Sequence, residues 1–266
     1  MLSIPIANLK PVSADPAPCK ICGSASPLYG VVDFNRSCQT PHGTRFSPLG
    51  VPVYYRRCPA CSFMFSDCFD DWTEHEFKQH IYNDLYIAVD PDYAETRPKA
   101  TARLVEQLFQ KDKSRLRLLD YGGGNGVCSQ QLRDLGFLSA DAYDPFTPAY
   151  ALRPEGKFDV VLCFETLEHL PSPTAGIASI IESISDSGVT LFTTLIQPKD
   201  FEKQGMNWWY IGPRNGHISL FSQKSLALAW QRFGFKVVSF NDGLHLAFRK
   251  VPDFASHLVN EHAVQG

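Results

Sequence analysis

The sequence predicts an α/β fold, an open parallel sheet with helices against it, preceded by a small metal-stapled module. Three observations carry this expectation. Two C-x-x-C pairs, Cys19/Cys22 and Cys58/Cys61, stand in the first quarter of the chain. The segment Arg115 to Leu119 turns apolar and runs through Asp120-Tyr121-Gly122-Gly123-Gly124-Asn125-Gly126 into the helical pattern of Val127 to Leu135. Beyond it, short apolar strands alternate with amphipathic helices, as in a sheet built from crossover units.

A strand, a glycine turn and a helix bring backbone N–H groups and a positive helix end to the carboxyl edge of the sheet. Open α/β sheets bind ligands at that edge. The spacing is not that of a dinucleotide fingerprint, because Val127 stands where the third glycine would be. What is present is D-x-G-x-G-x-G, with Asp120 closing the strand and a second acid, Asp144, after the short strand Ser139–Tyr143. This resembles motif I of the class I S-adenosylmethionine (SAM)-dependent methyltransferases, over about residues 97–250.

The resemblance implies a Rossmann-like methyltransferase sheet with SAM as cofactor. It implies that Asp120, Tyr121, Gly122, Gly124 and Gly126 wrap the methionine end, with Asp120 near the ammonium. Asp144 would hold the ribose hydroxyls, Pro145 and Phe146 would form an apolar adenine wall, and Phe164 and Glu165 would complete the cofactor site. Only 13 residues separate Asp144 from the apolar strand Phe158–Phe164. A parallel crossover alone takes about a dozen. The third strand usual in this family is therefore expected to be missing or vestigial, and with it the acid that faces the adenine amino group.

Length and composition set the bounds. A chain of 266 residues, 44% hydrophobic, has room for one full α/β domain and a small extra module. Its net charge of −3 supplies no cationic field for a nucleic acid. No run of 18 apolar residues exists to span a membrane, and Met1 to Val12 lacks the apolar core of a signal peptide. The expectation is a cytoplasmic protein acting on a small molecule, with neither membrane nor nucleic acid as partner. Its eight cysteines are then metal ligands or free thiols rather than disulfides.

Taken in order, residues 1–69 are expected to form a zinc-ribbon-like module after a loose lead-in. Four thiolates from Cys19, Cys22, Cys58 and Cys61 suit one tetrahedral structural Zn²⁺. Cys38 and His42, in the gap between the pairs, are alternative ligands, and a redox pair is the rival reading of either C-x-x-C. Cys68 is expected to be a free thiol. Residues 70–114, acidic and aromatic at first, read as a helical lid or linker, with an amphipathic helix over 98–110. The methyltransferase domain spans 115–250, with a helix over 174–185 and a strand over 189–196. Ser222 is placed to cap a helix over 223–233, and a final hairpin turns at Asn241-Asp242-Gly243. Residues 251–266 are expected to be a peripheral tail.

Glu165-Thr166-Leu167-Glu168-His169 is expected to open a helix after a central strand. Glu165, Glu168 and His169 would then share one face. Two carboxylates and an imidazole there suit a divalent cation such as Mg²⁺ or Mn²⁺, a general base, or a purely structural role. The segment resembles E-x-x-E-H of the ubiquinone-pathway O-methyltransferases and of the small-RNA 2′-O-methyltransferases. In the latter a later histidine joins a metal site, and His217 of Gly-His-Ile-Ser is placed like it. Trp208, Trp209 and Tyr210 suit either an acceptor pocket or packing under the zinc module. The amino-terminal ribbon is like that of bacterial methyltransferases of sugar, polysaccharide and natural-product pathways. O-methylation of a small molecule is the favoured activity. RNA 2′-O-methylation and a non-catalytic SAM- and zinc-binding scaffold are the alternatives.

Overall fold

The computed structural model describes residues 9–39 and 46–260. His42, named above as an alternative ligand, lies outside them. The chain opens with β1 (Ala17–Pro18), β2 (Ala25–Ser26), β3 (Leu28–Asp33), β4 (Pro52–Arg57) and β5 (Met64–Phe65). Next come α1 (Glu74–His80) and α2 (Tyr86–Val89). A capping box starts α1: Thr73 Oγ1 accepts from Glu76 N, and Glu76 Oε2 accepts from Thr73 N at 2.7 Å. The amphipathic helix follows as α3 (Thr96–Phe109). After it come β6 (Arg117–Tyr121), α4 (Val127–Asp134), β7 (Ser139–Tyr143), β8 (Phe158–Cys163), α5 (Pro173–Ile181) and β9 (Ile184–Thr193). The remainder is α6 (Phe201–Gln204), β10 (Ser219–Leu220), α7 (Gln223–Gln231), β11 (Lys236–Ser239), β12 (Leu244–Phe248) and α8 (Ser256–Asn260). Ser222 caps α7, accepting from Ser225 N at 3.1 Å.

Two compact units result. One takes in the described residues up to Pro91 together with Glu168–Thr174 and Leu195–Ala229. The other takes in Asp92–Leu167, Ala175–Thr194 and the described residues from Trp230 onward. The boundaries expected after residues 69 and 114 do not coincide with these units. The reason is strand pairing: β10 pairs antiparallel with β5, Ser219 opposite Phe65, and completes a sheet of order β10-β5-β4-β3. Buried aromatic rings fill this first unit, among them Phe63 on Phe221 at 5.1 Å and Phe69 edge-on to Trp72 at 4.9 Å.

The second unit is the α/β domain. Its sheet has the order β11-β12-β9-β8-β6-β7, with β7, β6, β8 and β9 parallel and β12 and β11 antiparallel. The strand β7 forms the edge, so among the described residues no strand occupies the place of a third one, in keeping with the 13-residue connection. Leu118, Val160, Leu162, Val189, Leu191 and Leu246 are fully buried across the sheet. Each such side chain contributes about 1.5–3 kcal/mol of burial. The face carrying Leu118 is covered by Ala102, Val105 and Phe109 of α3 and Leu132 of α4.

Three expectations change in the structure. The helix expected to reach Ser185 ends at Ile181, and Ile184 already belongs to β9, which ends at Thr193 instead of 196. An isoleucine-rich run fits both periods, and sheet pairing with β8 decides between them. Residues 253–260 are not peripheral: Phe254, Ala255 and Leu258 join the core, Phe254 edge-on to Phe109 at 6.1 Å. Thirdly, no α-helix begins at Glu165. That residue has φ +49, and only a 3-10 turn, Leu167–His169, follows. No helix among the described residues is long and apolar enough to cross a membrane.

Candidate active site

In the α/β unit the sharp turn between β6 and α4 is built as the spacing demands. Gly124 has φ +55, and a Cβ there would meet nothing within 4 Å. A left-handed backbone next to open space is where a ligand approaches main chain closely. Asp144, at the end of β7, braces the turn by accepting from Gly124 N at 3.0 Å and Phe146 N at 2.8 Å. Asp120 is 5% exposed, and its Oδ2 is sealed with no hydrogen-bond partner among the described residues. Burial, reinforced by the nearby Asp144 charge, lifts the Asp120 pKa from 3.8 to about 7. A buried, orphaned carboxylate oxygen under a glycine turn fits a cationic group, as the ammonium of SAM would supply.

The other expected cofactor residues divide. Pro145 and Phe146 are half-buried beside Asp144. The Tyr121 hydroxyl is engaged by Ser179 at 2.7 Å, and its ring lies against Tyr143. Phe164 packs on the apolar core. Glu165 turns to Thr193, accepting from its Oγ1 at 2.8 Å, while its own N–H donates to that oxygen. Tyr150 is a residue that spacing did not reveal: a Cβ on Gly126 would run into its ring.

In the first unit the four cysteines converge. Their sulfurs lie within 4.8 Å of one another, with Cys19–Cys61 at 3.6 Å and Cys22–Cys58 at 3.5 Å. Sulfurs at about 2.3 Å from a tetrahedral Zn²⁺ stand about 3.8 Å apart, so this donor set fits zinc. All eight cysteines are free of disulfides. Cys38 does not join the cluster.

Cys38 belongs to a second constellation in the same unit. Glu168, His169 and His217 offer one ligand atom each within 4.8 Å of one another. Glu168 is fully buried and its Oε1 accepts from the Tyr210 hydroxyl at 2.6 Å. The rings of His169 and His217 stand edge-on, 5.0 Å between centroids. His217 Nδ1 lies 2.9 Å from the Tyr210 carbonyl and 3.3 Å from Cys38 Sγ. A carbonyl only accepts, so Nδ1 is the donor of this pair, and in a neutral ring the lone pair would lie on Nε2.

Gly216 makes the approach possible. Its φ is +89, and a Cβ there would sit 2.7 Å from Tyr82 Oη and 2.9 Å from His169 Nδ1. We expect Gly216→Ala to destabilise the fold by about 1–3 kcal/mol through left-handed strain and this clash, and so to lower the melting temperature; a variant that melts with wild type would show that the turn relaxes freely.

Three of the four residues expected at the reacting centre thus meet, although the shared helix face does not form. Glu168 and His169 are neighbours on the turn Leu167–His169, and His217 reaches them because the next residue, Ile218, donates its N–H to the Glu168 carbonyl at 2.9 Å. Trp208 and Trp209 part company: Trp208 is 2% exposed against Phe201 and Tyr210, whereas Trp209 is 41% exposed. Tyr210 proves to be the hub, through its hydroxyl and its carbonyl. Cys38 sits 179 residues from His217, and no local pattern links them.

Comparison with known proteins bears on the chain from residue 93 onward. A family model described as a methyltransferase domain matches residues 93–240, more than half of the chain. The ubiquinone biosynthesis O-methyltransferases of Burkholderia multivorans and Burkholderia vietnamiensis are 32% and 31% identical to it, over 30% of this chain and 44% of theirs. The chain thus spans less than half the length of these curated relatives. Among solved structures, magnesium protoporphyrin IX methyltransferase from Synechocystis PCC 6803, with bound SAH, aligns at a TM-score of 0.42 and 16% identity, covering 57% of this chain and 83% of that one. DesVI of Streptomyces venezuelae aligns at a TM-score of 0.42 and 15% identity, covering 64% and 97%. The chain belongs to the methyltransferase-domain family.

Proposed function

We propose that the chain transfers the methyl group of SAM to a hydroxyl of a small-molecule acceptor, with His217 as general base. The observation that supports this most is the 2.9 Å approach of His217 Nδ1 to the Tyr210 carbonyl, which in a neutral ring would place the lone pair on Nε2. Bound SAM supplies an electrophilic methyl on a sulfonium. In the first unit, His217 Nε2 would take the proton of the acceptor hydroxyl. His169 would orient the hydroxyl, and the buried Glu168 carboxylate would stabilise the imidazolium that forms. In the α/β unit, Asp120, the turn Gly122–Gly126 and Asp144 would hold SAM, with Pro145 and Phe146 against the adenine. Cys19, Cys22, Cys58 and Cys61 would hold a structural Zn²⁺. O-methylation is also the activity named for the Burkholderia relatives. A net charge of −3 fits a small acceptor better than an RNA.

A second reading shares the same atoms. Glu168, His169 and His217 lie close enough to hold one divalent ion. One carboxylate and two imidazoles suit Mn²⁺ better than the oxygen-seeking Mg²⁺. Turnover of methyl-labelled SAM against phenols, catechols and nucleotide sugars tests both. Under the base reading, His217→Gln lowers kcat by about 10²–10⁴ with SAM affinity unchanged, and a chelator leaves wild type active. Under the metal reading, the chelator abolishes turnover and Mn²⁺ restores it. Full activity of His217→Gln would end both.

A further inference from the structure

Arg214 lies in the 3-10 turn Pro213–Asn215, three residues before His217 and in the same unit. It is 8% exposed. Its Nη1 donates to the Ile81 carbonyl at 3.2 Å. Among the described residues no carboxylate pairs with it, and no other side-chain hydrogen bond engages its five N–H donors.

The same unit treats its structural arginines differently. Arg56, 1% exposed, pairs Nε with Asp67 at 2.7 Å and gives Nη1 and Nη2 to the carbonyls of Asp15 and Ser13. Arg36 gives both terminal nitrogens to the carbonyls of Met206 and Trp208. Burial pulls the Arg214 pKa below its ordinary value, with only Tyr86 opposing. A buried guanidinium lacking its anion is costly, and such cost is characteristic of sites completed by a ligand.

The surroundings tie this cation to the histidines. Tyr86 Oη donates to the Asn215 carbonyl at 3.2 Å. The Tyr82 ring stands edge-on to Tyr86 at 5.3 Å and to His169 at 5.9 Å. Arg214 is thus linked through Tyr86 and Tyr82 to His169, whose ring stands against His217.

We infer that Arg214 binds a carboxylate or phosphate of the acceptor, which makes the substrate an acidic hydroxylated small molecule. A planar guanidinium matches either anion through paired N–H donors. The substrate assignment rests on the His217 reading above, whereas anion binding itself does not.

The experiment is thermal melting of the full chain without SAM, in sodium phosphate, acetate or chloride at matched ionic strength. Phosphate strengthens apolar burial in any protein, so the signal is the difference between wild type and variant. The expected result is a rise in Tm for wild type, in phosphate or acetate over chloride, that is lost in Arg214→Met. The anion giving the larger rise tells phosphate from carboxylate. In chloride, Arg214→Met is expected to melt no lower than wild type, since it removes an uncompensated charge. Equal anion responses in wild type and Arg214→Met would overturn the inference. Should Arg214→Met fail to fold, Arg214→Lys is the arbiter: it keeps the charge but loses the fork, so a reduced response supports the site and an unchanged one overturns it. Because neither SAM nor turnover enters, failure here leaves the His217 test standing.

Discussion

Replacing Asp120 by Asn is expected to raise the melting temperature of the ligand-free protein while abolishing SAM binding. The carboxyl is sealed, its Oδ2 has no partner among the described residues, and Asp144 adds like charge. Its pKa of about 7, against 3.8 ordinarily, means that the folded state keeps a proton the unfolded chain has lost. Stability then falls as the pH rises from about 4 to about 7, because the folded state binds more protons over that window. The whole displacement corresponds to about 4 kcal/mol as an upper limit. Asparagine carries no charge at any pH, so the variant should lose this slope and melt higher than wild type at pH 8. The ammonium of SAM needs the ionised acid, so wild-type affinity should weaken as the pH drops below 7. Melting curves from pH 5 to 8, with calorimetric SAM titrations, would show both effects. An Asn variant that binds SAM normally would remove Asp120 from the cofactor site. Asp144→Ala should also lose SAM, since it frees the amides of Gly124 and Phe146 and removes the acid proposed to hold the ribose.

Stripping metal from the four-cysteine cluster is expected to unfold the first unit and leave the α/β unit able to bind SAM. Structural Zn²⁺ in small modules is worth about 10–16 kcal/mol of apparent binding energy at neutral pH. That exceeds what the short pairs β1/β2 and β4/β5, two residues each, provide through their ladders. Cys58→Ser should give protein with less than one Zn²⁺ per chain and red-shifted tryptophan fluorescence, because Trp72, Trp208 and Trp209 all belong to this unit. Methyl transfer should vanish with it, since Glu168, His169, His217 and Tyr210 also belong there. A folded, active preparation free of zinc by elemental analysis would refute the structural role.

The residues around Asp120 were legible because their chemistry is local. D-x-G-x-G-x-G encodes left-handed turns and an acid at a strand end within seven positions, and the short connection after Asp144 encodes the missing strand by length alone. The C-x-x-C knuckles are local in the same sense: each pair presets two thiolates, and only their union is long-range. Sequence alone therefore determined the methyltransferase sheet, its glycine turn and the four converging sulfurs. Tertiary structure decided the rest. Spacing predicted a helix face for Glu165, Glu168 and His169, but Glu165 adopts φ +49 and bonds Thr193, a partner 28 residues away. The pairing of β10 with β5 brings residues 195–229 into the amino-terminal unit, where Tyr210 can hold Glu168 and His217 together. Cys38 and Arg214 acquire their surroundings in the same way, from segments more than 100 residues distant. Such contacts follow from which strand edge is left open and from where buried charge is compensated, and neither leaves a periodic trace in the chain.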